Sequence, residues 1–384
     1  MPQNPPGLAL MNSQTLVRST RLVSGLVLMA FVTMHLANLA LGLISLEVME
    51  DWRWVLMAPW QEMPGKILLA GSALVHAALG LWSLATRRSL VMSRTDIAQL
   101  ALGLLTPPLL ANHVLTMKLT AAMNGDFETS YGLILATFWS FAPLYAFQQL
   151  FVVVVVWIHA ALGLYSWLVL KPVWSRIGGL VLPVLFAVPI LALLGFVESG
   201  KEVLARIAAG GDWLKAIQSN AGRVWALKDD IWAAQERILL GYAALTVLAL
   251  AVLLARILHN RRKIVSANYD DGLYASGRTG LSILELSRLN HIPHAHVCGG
   301  RGRCGTCRVK VLAGMEHLSA MADMERHTLA RTGAGADTRL ACQALVLDSG
   351  VSVERLLPVF ADASAARAPE EWLPAGGIPA ETAP

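Results

Sequence analysis

Six apolar runs constrain this chain more than any other feature. They lie at about residues 22–44, 66–86, 97–118, 147–170, 180–197 and 238–258, each near the ~20 residues that a helix needs to cross a hydrocarbon core. In lipid, backbone N–H and C=O groups must pair within the segment, so runs of this length become helices. Composition agrees: 55% apolar and 15% charged is too apolar for a soluble chain of 384 residues. The first run is long enough to span, and no small-residue cleavage site follows it, so no cleavable signal peptide is expected. Residues 131–170 would make about 60 Å of helix at ~1.5 Å per residue, too long for one span. Pro143 breaks this stretch. We expect one span there, preceded by an interfacial or re-entrant piece around "YGLILATFWSFAPLYAF".

Charge selects the topology. With six spans, Arg18, Arg21, Arg87, Arg88, Arg94, Lys171, Arg176, Arg261, Arg262 and Lys263 share one side, which the positive-inside rule makes the cytoplasm. The opposite loops hold Glu47, Glu50, Asp51, Asp126 and Glu128. Seven spans would put Arg261, Arg262 and Lys263 outside. The expected organisation is a cytoplasmic segment 1–21, a six-span α-helical bundle 22–260, a cytoplasmic domain 261–358 and a tail 359–384. The tail is Ala/Pro-rich and expected to be disordered. An outer segment, 198–237, carries Trp213, Trp225 and Trp232 with mixed charge and is expected to lie as an amphipathic helix at the outer interface.

The chain has four cysteines, three of them in "VCGGRGRCGTCRV", residues 297–309. Cys298, Cys304 and Cys307 are spaced C-x5-C-x2-C, and Cys342 follows 34 residues later. Three in one loop and one distant do not suggest two strain-free disulfides. Structural zinc usually uses two separated C-x2-C knuckles. Three thiolates on a glycine-rich loop and one far along the chain is how a [2Fe–2S] cluster is held. That is the preferred reading, with zinc as the remaining alternative. Around the loop, "KIVSANYDDGLYASG" reads as two strands about a turn. "SILELSRLNHI" reads as a helix with Ser282 as N-cap, "CRVKVLAG" as a strand, "DMERHTLART" as a helix, and "TRLACQALV" as a strand carrying Cys342. This order, over residues 263 to 358, resembles the β-grasp fold of [2Fe–2S] ferredoxins, and the five-residue spacing is similar to the adrenodoxin type.

The first four runs each carry one histidine: His35, His76, His113 and His159. Ionisable residues inside a membrane are functional-site candidates by default. The bland alternative is four unrelated histidines bonded to nearby Ser, Thr or carbonyl groups. One on each of four consecutive helices favours paired ligation of haem b, one or two groups. Counted from the inner end of each span at ~1.5 Å per residue, His35 lies about 21 Å deep, His113 about 24, His76 about 16 and His159 about 18. The levels match His35 with His113 and His76 with His159, about 6 Å apart, which is tight for two haems.

This arrangement resembles the cytochrome b subunits of succinate dehydrogenases and fumarate reductases, whose dihaem members give one histidine from each of four helices. Quinone binding is common in that family, but no residue here is assigned to it. A second resemblance covers nearly the whole chain. "STRLVSGLVLMAFVTMHLANLALGLISLEVME", "LVHAALGLWSL", "LTPPLLANHV", "VVVWIHAALGLYSWL" and "ALLGFVESGKEV" are similar to the membrane anchors of a group of bacterial class III adenylate cyclases. "IPHAHVCGGRGRCGTCRVKVLAGMEHL" and "RLACQ" resemble the ferredoxin domain that follows those anchors. The cyclase domain expected next is not in this sequence, so the resemblance implies the sensing or electron-carrying half, placed in the bacterial inner membrane.

Other residues take plain readings. His291, His294, His296, His317 and His327 are expected to be structural or at the surface, since four cysteines complete the ligand set. No glycine-rich phosphate loop follows a strand, so no nucleotide site is expected, and the basic cluster at 261–263 makes no case for nucleic acid. Arg301 and Arg303, on the cysteine loop, would raise a cluster's potential or meet an acidic partner. Beyond redox cofactors no catalytic constellation appears. The expectation is a membrane redox protein that passes single electrons between haem b or quinol and a cytoplasmic redox partner. The alternative is a redox-sensing module that regulates a separate cyclase or other effector.

Overall fold

The computed structural model describes residues 13–125, 127, 129–259 and 263–365. Asp126, Glu128, Arg261, Arg262, the first residues of the N-terminal segment and the tail after 365 lie outside the described residues. The chain divides into two units. One comprises Met1–Ser83, Gln99–Gly163 and Val181–Leu248, the other Leu84–Ala98, Leu164–Leu180 and Ala249–Pro384.

The main helices, apart from a single turn at Ala58–Gln61, are α1 (Ser13–Ala40), α2 (Leu46–Leu56), α3 (Met63–Ala85), α4 (Arg94–Met123), α5 (Tyr131–Ala136), α6 (Leu144–Leu168), α7 (Trp174–Ala209), α8 (Gly211–Ala226) and α9 (Lys228–His259). Among the described residues six helices, α1, α3, α4, α6, α7 and α9, are long and apolar enough to cross a membrane. Their outward side chains are apolar, as a lipid-facing surface requires: Leu74, Leu144 and Phe186 are 73%, 83% and 69% exposed. The break at Pro143 is real. α5 runs into a π-turn, Thr137–Phe141, and α6 starts at Leu144.

Two prolines inside these helices free carbonyl groups that side chains from other helices satisfy. Pro108 leaves the carbonyl four residues earlier without its helical donor. The Tyr242 hydroxyl donates to that Leu104 oxygen at 2.9 Å. Pro189 does the same to Leu185, whose oxygen accepts from the Trp157 indole at 2.7 Å. A polar contact joins α4 and α9: Gln235 Nε2 donates to Asn112 Oδ1 at 3.0 Å and Thr116 Oγ1 at 3.1 Å. α7 approaches the end of α1 so closely that a Cβ on Gly195 would come within 2.2 Å of the Leu39 oxygen.

The segment 198–237 is not one interfacial helix. α7 continues to Ala209, α8 is a separate helix of sixteen residues, and α9 has begun by Lys228. Gly210 and Gly211, at φ +72° and +81°, break the first boundary. Lys228 lies over the Trp225 and Trp232 rings at the second.

The ferredoxin-like domain contains β1 (Ile264–Tyr269), β2 (Tyr274–Arg278), α10 (Ile283–Leu289), β3 (Arg308–Ala313), α11 (Asp323–Arg331), β4 (Thr338–Leu340) and β5 (Val351–Arg355). The sheet order is β2-β1-β5-β3-β4. β5 pairs in parallel with β1 (Ala267 opposite Val351) and antiparallel with β3 (Val311 opposite Val353). Its alternation buries Val351 and Val353. The four-strand pattern expected from sequence therefore lacked the central strand. A second correction concerns Cys342: β4 ends at Leu340, and Cys342 stands in the turn beyond it. The core of this sheet packs Val265, Ala267, Val309, Leu340 and Val353 against Ile283, Leu286 and Leu329.

Candidate metal centres

The cysteine loop is set by the elements at its two ends. Ser282 caps α10 in a reciprocal capping box with Glu285, which fixes where the helix begins. β3 starts directly after Cys307. In between, Thr306 Oγ1 accepts from the Val297 N–H at 3.1 Å and lies 3.1 Å from Cys304 Sγ. α11 holds the loop from outside. The Thr328 hydroxyl donates to the Gly302 oxygen at 2.7 Å, and Arg331 Nη2 donates to the Arg303 oxygen at 2.7 Å. Gln343 Nε2 donates to the Gly300 oxygen at 3.3 Å. Gly302 has φ +69°, and a Cβ there would come within 2.9 Å of Met324 Sδ, so the sharp turn requires glycine. Sequence reasoning missed Thr306, Thr328, Arg331 and Gln343. Only Thr306 carried a signal, its place inside the C-x2-C.

None of the four cysteines is in a disulfide. Cys298, Cys304 and Cys307 are buried at 3%, 1% and 1% exposure, and Cys342 is half-buried. They form two pairs: Cys298 is hydrogen-bonded with Cys304, and Cys307 with Cys342. The Cys304 thiol pulls Cys298 well below its ordinary value, and the backbone N–H groups of Arg303, Cys304 and Arg301 add to this against the opposing burial. Cys304 is pushed up by its bond to Cys298 and by burial, and Cys307 by its bond to Cys342 and by burial. Four thiols this close cannot all ionise unless a cation neutralises them. The N–H groups aimed at Cys298 are already placed to stabilise a thiolate.

Among the described residues no three or more of His, Cys, Asp and Glu gather around a point that would hold a single metal ion. Two pairs of thiols are the donor set that a dinuclear iron centre would take, two to each iron.

The histidines of the long apolar helices also come in pairs. The rings of His35 and His113 are 6.0 Å apart, centroid to centroid, and those of His76 and His159 are 6.2 Å apart. These are the pairs that match in depth. His76 Nδ1 lies 3.2 Å from the Arg21 oxygen and 3.3 Å from Ser24 Oγ. His159 Nδ1 lies 3.1 Å from the Gln99 oxygen. A carbonyl can only accept, so Nδ1 is the donor in both contacts, and in the neutral ring Nε2 then keeps its lone pair. His113 is hydrogen-bonded to the Gln149 side chain, and Phe31 stacks on His35 at 5.8 Å. Glycines face one pair. A Cβ on Gly25 would come within 3.0 Å of His76 Cε1, and one on Gly103 within 2.8 Å of His159 Cε1. The buried Nε2 of Gln149 has no hydrogen-bond partner.

Residues 270–347 match the family of the 2Fe-2S iron–sulfur cluster binding domain. Chlorosome protein I of Chlorobaculum tepidum is 37% identical over 76 residues, 20% of this chain; the match spans only 31% of that protein's length. The 2Fe-2S ferredoxin-5 of Aquifex aeolicus is 32% identical over 89 residues, 23% of this chain and 91% of that protein. The 2Fe-2S ferredoxin of Pseudomonas aeruginosa is 32% identical over 85 residues, 22% of this chain and 76% of that protein.

Proposed function

Because this chain belongs to the [2Fe–2S] ferredoxin family through residues 270–347, we propose that it passes single electrons between a membrane donor, haem b or quinol, and a cytoplasmic partner. Cys298, Cys304, Cys307 and Cys342 would hold the [2Fe–2S] cluster, which supplies one-electron chemistry when bound. His35 with His113 and His76 with His159 would hold haem b.

The single observation that carries the haem reading is the spacing of the histidine rings. Imidazole–metal bonds are roughly 2 Å long, so two rings sharing one axial metal stand about 6 Å apart between centroids. Both pairs meet this, at 6.0 and 6.2 Å. The Nδ1 contacts of His76 and His159 support it further. A ligating histidine usually donates its other ring N–H to a carbonyl, which fixes the tautomer and raises the basicity of the ligating nitrogen. These contacts alone would also suit structural histidines; the ring spacing favours ligation. The Arg21 and Gln99 carbonyls thus orient the His76 and His159 rings through Nδ1 and would leave Nε2 of each to bind the iron. No side chain is assigned to a quinone.

The test is a reduced-minus-oxidised absorption spectrum of the purified protein in detergent, with pyridine haemochrome and iron quantitation on the same sample. Sharp b-type bands beside the broad cluster signal are expected. A cluster signal without haem would overturn the haem assignment and leave the helices as the anchor of a redox-sensing module that acts on a separate effector.

A further inference from the structure

The unit that contains the ferredoxin domain also contains Leu84–Ala98 and Leu164–Leu180. These are the ends of α3 and α4 with their connection, and the ends of α6 and α7 with theirs. Within this unit the cysteine loop is covered. Leu170, 3% exposed, packs with Val169 and Val297 on Cys298 and Cys304. Arg301, between the first two cysteines, donates from Nη2 to Asp96 Oδ1 at 3.1 Å. Asp96 is itself positioned: the Ser93 hydroxyl donates to its Oδ2 at 2.6 Å, and its side chain is only 12% exposed. Gly299 brings the loop backbone close, so that a Cβ there would stand 3.5 Å from Asp96 Oδ2. A second contact lies beside the first, where the Ser89 hydroxyl donates to Glu285, the capping carboxylate of α10. Burial lowers the Arg87 guanidinium, against the pull of Asp96 and Glu285.

An apolar cap over two thiols, an opposite charge for the loop's arginine and a hydroxyl for the neighbouring carboxylate make a complementary surface. Arg301 meets an acidic group, Asp96, within its own chain. We propose that residues 84–98 and 164–180 are a built-in docking platform for the cluster loop. The platform takes the Cys298/Cys304 side and leaves the half-buried Cys342 side for a soluble partner. This rests on the electron-transfer reading for its purpose, but not for its test.

The test is hydrogen–deuterium exchange on the cluster-loaded full chain in lipid nanodiscs, comparing wild type with Asp96→Asn and Ser89→Ala. The visible circular dichroism of the cluster is recorded on the same samples. Asp96→Asn should raise amide exchange in both 296–303 and 84–98 by roughly two- to fivefold, the size expected for losing a partly exposed ion pair. Ser89→Ala should act in the same direction with a smaller effect, and the dichroism should hold. Exchange equal to wild type in both variants would overturn the platform. So would a rise confined to 84–98, because that reports only the loss of the Ser93–Asp96 contact at the start of α4. A protein that proves to lack haem leaves this experiment unchanged, so the platform and the electron-transfer reading can fail separately.

Discussion

The buried pair Arg339–Glu325 should decide how firmly the fourth cysteine is held. Arg339 lies in β4, three residues before Cys342. Its Nε donates to Glu325 Oε1 at 2.8 Å and its Nη2 to Oε2 at 3.0 Å. The Leu340 N–H also donates to Oε1 at 2.8 Å, and Arg339 Nη2 to the Ser319 oxygen at 2.9 Å. The two side chains are 4% and 1% exposed. Glu325→Ala would strand a buried guanidinium and orphan the Leu340 N–H, a loss of about 3–5 kcal/mol. At about 5 °C per kcal/mol for a domain near 100 residues, cluster loss on heating should move down by roughly 15–25 °C. The assay is thermal bleaching of the cluster's visible absorbance in the full chain. A double variant, Glu325→Met with Arg339→Met, separates causes. It removes both charges and should cost only about 2 kcal/mol, for the lost bonds to Leu340 and Ser319. If Glu325→Ala bleached within about 3 °C of wild type, or the double variant were worse than the single, the uncompensated-charge argument would be wrong.

Other outcomes follow from the same geometry. Cys298→Ser or Cys342→Ser should abolish the visible cluster spectrum, each removing one thiolate from a different pair; iron quantitation checks this. His35→Ala and His76→Ala should each lower haem per chain by the share of one pair, and the His35/His76 double variant should remove it, as read by pyridine haemochrome. Gly103→Ala should disturb only the His76/His159 pair, because its added methyl would meet His159 Cε1 at 2.8 Å; two b-type components resolved in a redox titration should show one shifted and one unchanged. Stripping the iron with a chelator should raise hydrogen exchange across 297–307 by about tenfold or more while β1 and β2 hold, since the loop's ordering depends on the metal and the strands' does not.

Several elements were legible in the residues because their signals are local. Ser282 with Glu285 three residues on is a capping box in any context, and α10 begins there. Pro143 ends the preceding helical turn wherever it sits. β5 was missed because "VSVER" is five residues long and its partners, β1 and β3, lie far back in the chain. The segment 198–237 was misread for a similar reason. Its mixed charge and tryptophans describe an interface, while Gly210 and Gly211 place a break that a composition average hides.

Lipid cannot solvate a bare backbone, so apolar runs near 20 residues had to become helices. Likewise C-x5-C-x2-C with a distant fourth cysteine favoured a cluster loop over a zinc site, because ligand spacing is a property of the chain itself. Which thiol stands beside which, and that His76 and His159 turn Nδ1 toward the Arg21 and Gln99 carbonyls, was decided only in three dimensions. So was the meeting of Arg301 with Asp96 across about two hundred residues. Such contacts join positions whose separation in sequence carries no preferred distance, and packing alone brings them within a hydrogen bond of each other.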